Sequence, residues 1–326
     1  MAHSEAEEPE ELFADVELRQ VPVALHQHGE RLDRALVELA PEFSRSYLQQ
    51  LIEAGLVKVQ GRIITKASQR VKVAEMVEIE LRPTPQSQSF QPQSMPIHIV
   101  YEDADLYVID KPAGLVVHPA PGNWTGTLLN GLLALDPRNA HVPRAGIVHR
   151  LDKDTSGLMV VARSRAAMDA LVQAIAAREV SRQYLALAHQ PWQASGTVTV
   201  EASIGRDVRN RLRMAVVDLN HASGKTAKTD IHLLASSAQG CFVRCVLHTG
   251  RTHQIRVHMA HIGHPLVADA VYGGHSGQDI LRQALHAYRL AFKHPTSGEW
   301  LKFESQPPAD FMRLLNTWGF SYNLDS

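Results

Sequence analysis

The chain has 326 residues, a formal net charge of −1, 44% hydrophobic and 21% charged residues, which suits one large core and a small accessory domain. No apolar run approaches the roughly 18 residues of a membrane span, so no membrane association is expected. The N-terminus MAHSEAEEPEELFADVE has neither the basic start nor the apolar stretch of a secretory signal, and the cytoplasm is the expected compartment.

Residues 1–17 hold seven acids and no Lys or Arg, leaving the rest of the chain at +6. Such a tail reads as disordered and solvating. The mildly basic body is compatible with a polyanionic partner. From Gln20, RLDRALVEL and SRSYLQQLIEAG repeat apolar residues at helical spacing, with Tyr47, Leu48, Leu51 and Ile52 in one stripe. Ser44 is placed to cap the second helix and Gly55 to end it. VKVQGRIIT then alternates about a Gln60-Gly61 turn and VKVAEMVEIEL alternates again, so residues 18–82 read as two helices and a short sheet.

Residues 83–96 (PTPQSQSFQPQSMP) contain four prolines, four glutamines and no charge, the composition of a partly extended linker. Residues 97–326 read as a second domain. IHIVYEDADLYVIDKPAGLVVHP gives strand, acidic turn and strand; GLMVVAR, QYLALAH, GTVTVEASI, TAKTDIHLLA and CFVRCVLHT are further predicted strands. SRAAMDALVQAIAAREV is the clearest helix. A mixed, mostly antiparallel sheet with flanking helices follows, and the class is α+β. Cys241 and Cys245, the only cysteines, lie about 13 Å apart on one strand face. They are too far apart to bridge and suit core packing.

Residues 144–163, RAGIVHRLDKDTSGLMVVAR, join a polar turn to an apolar strand and offer His149, Arg150, Asp152, Lys153, Asp154, Thr155 and Ser156 as reactive groups. The residues alone are equally consistent with a solvated turn in which Asp152 or Asp154 caps backbone. Five histidines between 248 and 264 invite a metal reading. They lack HExxH, an interspersed carboxylate or cysteine, and zinc-like spacing, and no metal site is assigned.

HRLDKDTSGL resembles the signature of the RluA-type pseudouridine synthases, and REVSRQYLALA and GRTHQIRVHMAHIGHPLVADAVYGG resemble two further motifs of that family in the same order. The likeness spans nearly the whole chain from about residue 18, and the N-terminal unit is similar to the S4 RNA-binding module of several members. The resemblance implies isomerisation of uridine to pseudouridine, with Asp152 as the catalytic carboxylate and Tyr184 beside the target ring. It also implies that Arg150, with His149 next to it, serves the substrate side, Arg150 filling the gap left by a flipped base. An ionised Asp in a dry pocket needs a cation. The third motif nominates Arg251, after a Gly250 turn and before a helix begun at Thr252, with Arg256 as its competitor.

No cofactor is expected, since nothing is oxidised and no energy source is consumed; neither a Walker loop nor a strand-linked GxGxxG is present. By resemblance, the expected partner is 23S ribosomal RNA at the helix 69 stem-loop, free or in a pre-50S particle, and the expected state is a monomer. Arg34, Arg45, Lys58 and Arg62 in the S4-like unit, and Arg206, Arg209, Arg211 and Arg213 in the catalytic unit, are candidate RNA contacts. Residues 18–82 hold ten basic and eight acidic side chains, so their charge alone does not mark an RNA surface. A non-catalytic assembly factor with the same fold is the rival reading, and a glycosidase-like hydrolase the third. Ala268 and Ala270 stand where the family commonly has Gly and Pro.

Overall fold

A computed structural model of the chain describes residues 17–41, 43–81, 87–120, 122–210, 213–275 and 279–322. The acidic stretch 1–16, positions 83–86 of the expected linker, and Arg211 lie outside them. The chain forms two compact units, residues 1–89 and 90–326.

In the first unit, β1 (Glu17–Pro22) precedes α1 (Leu32–Leu39) and α2 (Arg45–Glu53), followed by β2 (Val57–Val59), β3 (Arg62–Ile63) and β4 (Met76–Leu81). The strands pair in the order β1-β4-β2-β3. Glu17, assigned above to the tail, is instead the first residue of β1 and pairs with Leu81. The Ser44 hydroxyl accepts from the Tyr47 N–H at 3.3 Å and caps α2, while Gly55, at φ +75°, ends it. Leu32, Leu36, Leu48 and Ile52 are fully buried against Val57, Val77 and Ile79. Each such side chain stabilises the unit by about 1.5–3 kcal/mol.

The second unit contains β5 (His98–Glu102), β6 (Leu106–Lys111), α3 (Leu128–Leu135), β7 (Ser156–Ala162), α4 (Arg165–Ala176), β8 (Ser181–His189), β9 (Thr197–Glu201) and β10 (Ile204–Arg206). It continues with β11 (Met214–Val216), β12 (Gly224–Lys225), β13 (Lys228–Ser236), β14 (Gly240–Leu247), α5 (Gln254–His261), β15 (Leu285–Lys293), β16 (Trp300–Glu304) and α6 (Ala309–Thr317). Among the described residues, a large sheet runs β5-β6-β7-β15-β8-β14-β13-β9, with β16 also on β15. Every pairing is antiparallel except β7 with β15, so the sheet is mixed and mostly antiparallel, as expected.

Side chains alternate across this sheet. Tyr107, Met159, Tyr184, Cys241 and Cys245 pack on one face with α3 and α5. Leu158 and Val160 pack on the other with α4, and Leu185, Leu187 and Phe242 with α6. Both cysteines are free and buried. The later part of the expected linker is docked rather than free. The Asn130 side chain donates to the Gln91 carbonyl at 2.8 Å, and the Gln93 side chain accepts from the Gly126 N–H at 2.6 Å. Among the described residues no helix is long and apolar enough to cross a membrane.

Candidate active site

The loop from Gly146 to β7 carries Asp152, and its path is fixed by two glycines. A Cβ on Gly146, at φ +80°, would lie 1.8 Å from the Ala162 carbonyl oxygen, and one on Gly157, at φ +115°, would lie 2.2 Å from that of Ala287. No other residue allows both the left-handed backbone and the approach.

Side chains from distant segments tie the loop down. Lys111, 1% exposed, donates from Nζ to the carbonyls of Pro112, Leu115 and Lys153 at 2.7, 2.9 and 3.0 Å. Burial pushes its pKa down to about 7 against the pull of Asp154 and Asp152. Arg282 donates to the Asp154 carbonyl at 3.0 Å, Gln283 to the Thr155 hydroxyl at 3.2 Å, and the Ser156 hydroxyl meets His286 Nδ1 at 3.0 Å.

The partner of Asp152 is Arg256, not Arg251. Arg256 Nη1 donates to Asp152 Oδ2 at 3.1 Å, while its Nε and Nη2 form a fork on Asp269 at 2.7 and 2.9 Å. Burial opposes the charge of Arg256, but the carboxylates of Asp269 and Asp152 outweigh it and raise its pKa. Arg251 turns away, donating from Nε to the Thr226 carbonyl at 3.0 Å, and lines the same cavity. The physical reason lies in the turn. His253 takes a left-handed backbone, φ +57°, and α5 starts at Gln254 instead of Thr252, which brings Arg256 on the first helical turn to face the loop.

Asp152 Oδ1 accepts no hydrogen bond among the described residues. His253 Nε2 lies 3.9 Å from it, and burial pushes the pKa of that imidazole down. His253 Nδ1 is held by the Tyr272 hydroxyl at 2.8 Å, and Tyr272 offers its ring to Arg256 at 5.1 Å. Asp269 and Tyr272 were not singled out in the sequence, and His253 only as one of the five histidines of residues 248–264; the available signal was their position in the third motif beside Arg256.

Tyr184 faces the same cavity from β8 and is 5% exposed. Burial, with some help from Asp152, pushes its phenol up to about 12, so it stays protonated at neutral pH. His149 lines the cavity, but its Nε2 accepts the Val160 N–H at 3.1 Å. Its proton therefore sits on Nδ1, which is buried without a partner. Burial and Arg182 push its pKa down to about 3, and the ring is neutral. Arg150 lines the cavity and is exposed. His118, pushed down to about 4 by burial and by Arg144 and Arg150, completes that side of a cavity of about 500 Å³, a size suited to a small ligand or a flipped nucleoside.

The histidine run has structural partners. His248 meets Asp230 at 2.6 Å, His258 meets Thr229 and the Ala202 carbonyl at 2.9 and 3.0 Å, and His264 meets the His189 carbonyl at 3.1 Å. Arg34, Lys58 and Arg62 are exposed on the small unit. Arg45 differs, because its Nη2 and Nε bind the buried Asp33 at 2.7 and 3.2 Å; with Arg31, it holds that carboxyl well below the usual range. Arg206 and Arg209 are exposed, whereas Arg213 pairs with Asp207 at 2.5 Å.

The sequence model of the RNA pseudouridylate synthase family matches residues 105–261, and that of the S4 domain matches residues 30–77. The chain is 47% identical to ribosomal large subunit pseudouridine synthase D of Neisseria meningitidis serogroup B, over 93% of this chain and 83% of the relative. It is 45% identical to that of Xanthomonas campestris pv. campestris over 93% of each. Among solved structures it is similar to human RNA pseudouridylate synthase domain containing 1, at 30% identity and a TM-score of 0.53 over 67% of this chain and 86% of that one. With this shared sequence and fold, and with three motifs converging on one cavity, the chain belongs to the RNA pseudouridine synthases of the RluA type, enzymes that isomerise uridine within RNA.

Proposed function

We propose that the chain converts uridines of large-subunit ribosomal RNA to pseudouridine, acting in the cytoplasm as a monomer on free RNA or on a pre-50S particle. The helix 69 stem-loop of 23S RNA is the target by resemblance of residues 100–130 and 142–154 to the family member acting on the large ribosomal subunit. The curated relatives' names support the ribosomal substrate.

One observation carries the chemistry: Asp152 has one oxygen anchored on a buried arginine and the other unbonded toward the cavity. Such a carboxylate is anchored and aimed by the guanidinium beside it, and it acts at the ribose while the bond from C1′ to N1 breaks. The uracil turns, C1′ joins C5, C5 loses its proton and N1 gains one, so the products balance without any cofactor. Tyr184 offers the base a ring face and a phenol that stays protonated. Arg150, at the rim, enters the stack as the nucleotide leaves it.

The test is tritium release to water from large-subunit RNA labelled at uridine C5, with wild type and Asp152→Asn. Release by the wild type alone is expected. Release by Asp152→Asn overturns the assignment of the carboxylate. Tight binding by the wild type without release would make the chain an assembly factor.

A further inference from the structure

Arg182 lies on β8 two residues before Tyr184 and on the same strand face, lines the same cavity, and is 6% exposed. Among the described residues it forms neither an ion pair nor a hydrogen bond, and its Nε is sealed from solvent without an acceptor. Other well-buried arginines of this unit are paired: Arg256 with Asp152 and Asp269, Arg163 with Glu102 and Asp136, and Arg282 with Asp310. An arginine cannot relieve its burial by losing a proton, and an unpaired buried charge is strongly unfavourable. Space has nonetheless been kept for it: a Cβ on Gly250 would stand 2.7 Å from Arg182 Nη1.

Among the described residues lining the cavity the one carboxylate is Asp152, which is anchored through Oδ2 on Arg256 and forms no ion pair with Arg182. The neighbouring polar groups, Arg178, Arg251 and neutral His149, add positive charge or none. The missing counter-ion must therefore arrive with the ligand, and the planar guanidinium fork matches a phosphate. Residues two apart on a strand face are separated by about 7 Å, so a base resting on Tyr184 brings its own backbone to Arg182. We infer that Arg182 is the seat of one RNA phosphate beside the target uridine, with Arg178 and Arg251 flanking it. This deepens the isomerase reading of the cavity and rests on it.

The experiment uses the full-length protein and a large-subunit RNA stem-loop that releases tritium. Uncharged methylphosphonate linkages are introduced one at a time around the target uridine, and affinities are measured for wild type, Arg182→Gln and Arg182→Lys. One linkage is expected to cost the wild type about tenfold in affinity and to cost Arg182→Gln nothing, with the lysine variant between them. Arg182→Gln should also bind unmodified RNA about tenfold more weakly, with a salt slope shallower by about 0.7–0.9. Equal linkage penalties in wild type and Arg182→Gln overturn the inference. So does lost turnover with affinity and salt slope unchanged, which would place the guanidinium on the departing base instead. If Arg182→Gln does not fold, Gly250→Ala displaces the guanidinium and is expected to erase the same linkage penalty; retention of that penalty overturns the inference. If no RNA releases tritium, the isomerase reading fails, while the linkage series on the tightest-bound stem-loop still decides the phosphate seat.

Discussion

Arg256 is shared between two carboxylates, and the two should respond very differently to removal. Asp269 is 1% exposed, takes two bonds from Arg256 at 2.7 and 2.9 Å and accepts the Val271 N–H at 3.2 Å. In Asp269→Asn, Arg256 keeps only the single 3.1 Å bond to Asp152 and is left largely uncompensated in the interior. Breaking a buried pair in this way costs about 3–5 kcal/mol, a fall in Tm of about 10 °C for a unit of this size. Asp152→Asn removes one bond and leaves the fork on Asp269 intact, so a loss of about 1 kcal/mol or less is expected. Thermal unfolding of the full chain, with the two units' transitions resolved separately, measures both. The tritium assay adds that both variants lose turnover, although Asp269 is sealed behind Arg256. Equal stability losses in the two variants, or an Asp269→Asn transition within about 2 °C of wild type, would refute the division of labour.

Tyr184→Phe keeps the ring and removes the phenol; RNA affinity should hold while tritium release falls about a hundredfold, and unchanged release would leave the hydroxyl without a role. Lys111 carries a folded pKa of about 7 against an ordinary 10.5. The cost of burying its charge is therefore full below pH 7 and fades as pH rises toward 10.5. Wild type should gain stability relative to Lys111→Met across that window in parallel denaturation curves, and a constant difference would contradict the shift. Ala268 sits at φ +59°, where an alanine is strained by about 1 kcal/mol; Ala268→Gly should raise Tm by about 2–4 °C without altering tritium release.

Much of this architecture was legible because strand and helix periods differ. β7, β8, β13, β14 and α4 fell where alternation or helical spacing put them. α3 did not, since LLNGLLAL is buried on nearly all sides and a run whose one polar side chain, Asn130, is itself buried has no polar face to reveal it. β15 is central, largely buried and lacks a polar face for the same reason. β1 was hidden by its polar sequence and by a partner, β4, far along the chain. Asp152, Arg150 and Tyr184 could be read from motifs. The choice between Arg251 and Arg256 depended on a left-handed residue at His253, a conformation no spacing rule assigns to histidine. Arg182 escaped notice because its oddity is the absence of a partner, which only the packed structure shows.

The loop bearing Asp152 is held by residues more than a hundred positions later: Arg282 grips Asp154, Gln283 grips Thr155, His286 grips Ser156, and β7 joins β15 in parallel at residues 286 and 287. Contacts of such long sequence separation carry a loop-closure cost and need the later segment to be present before they can form. A nascent chain halted near residue 280 would already contain all three motifs and the Lys111 anchor on the Lys153 carbonyl, yet it would lack every one of these grips on Asp154, Thr155 and Ser156. Chemistry therefore awaits near-completion of synthesis, and a fragment of this enzyme released early from translation would be an RNA-binding chain without a working site.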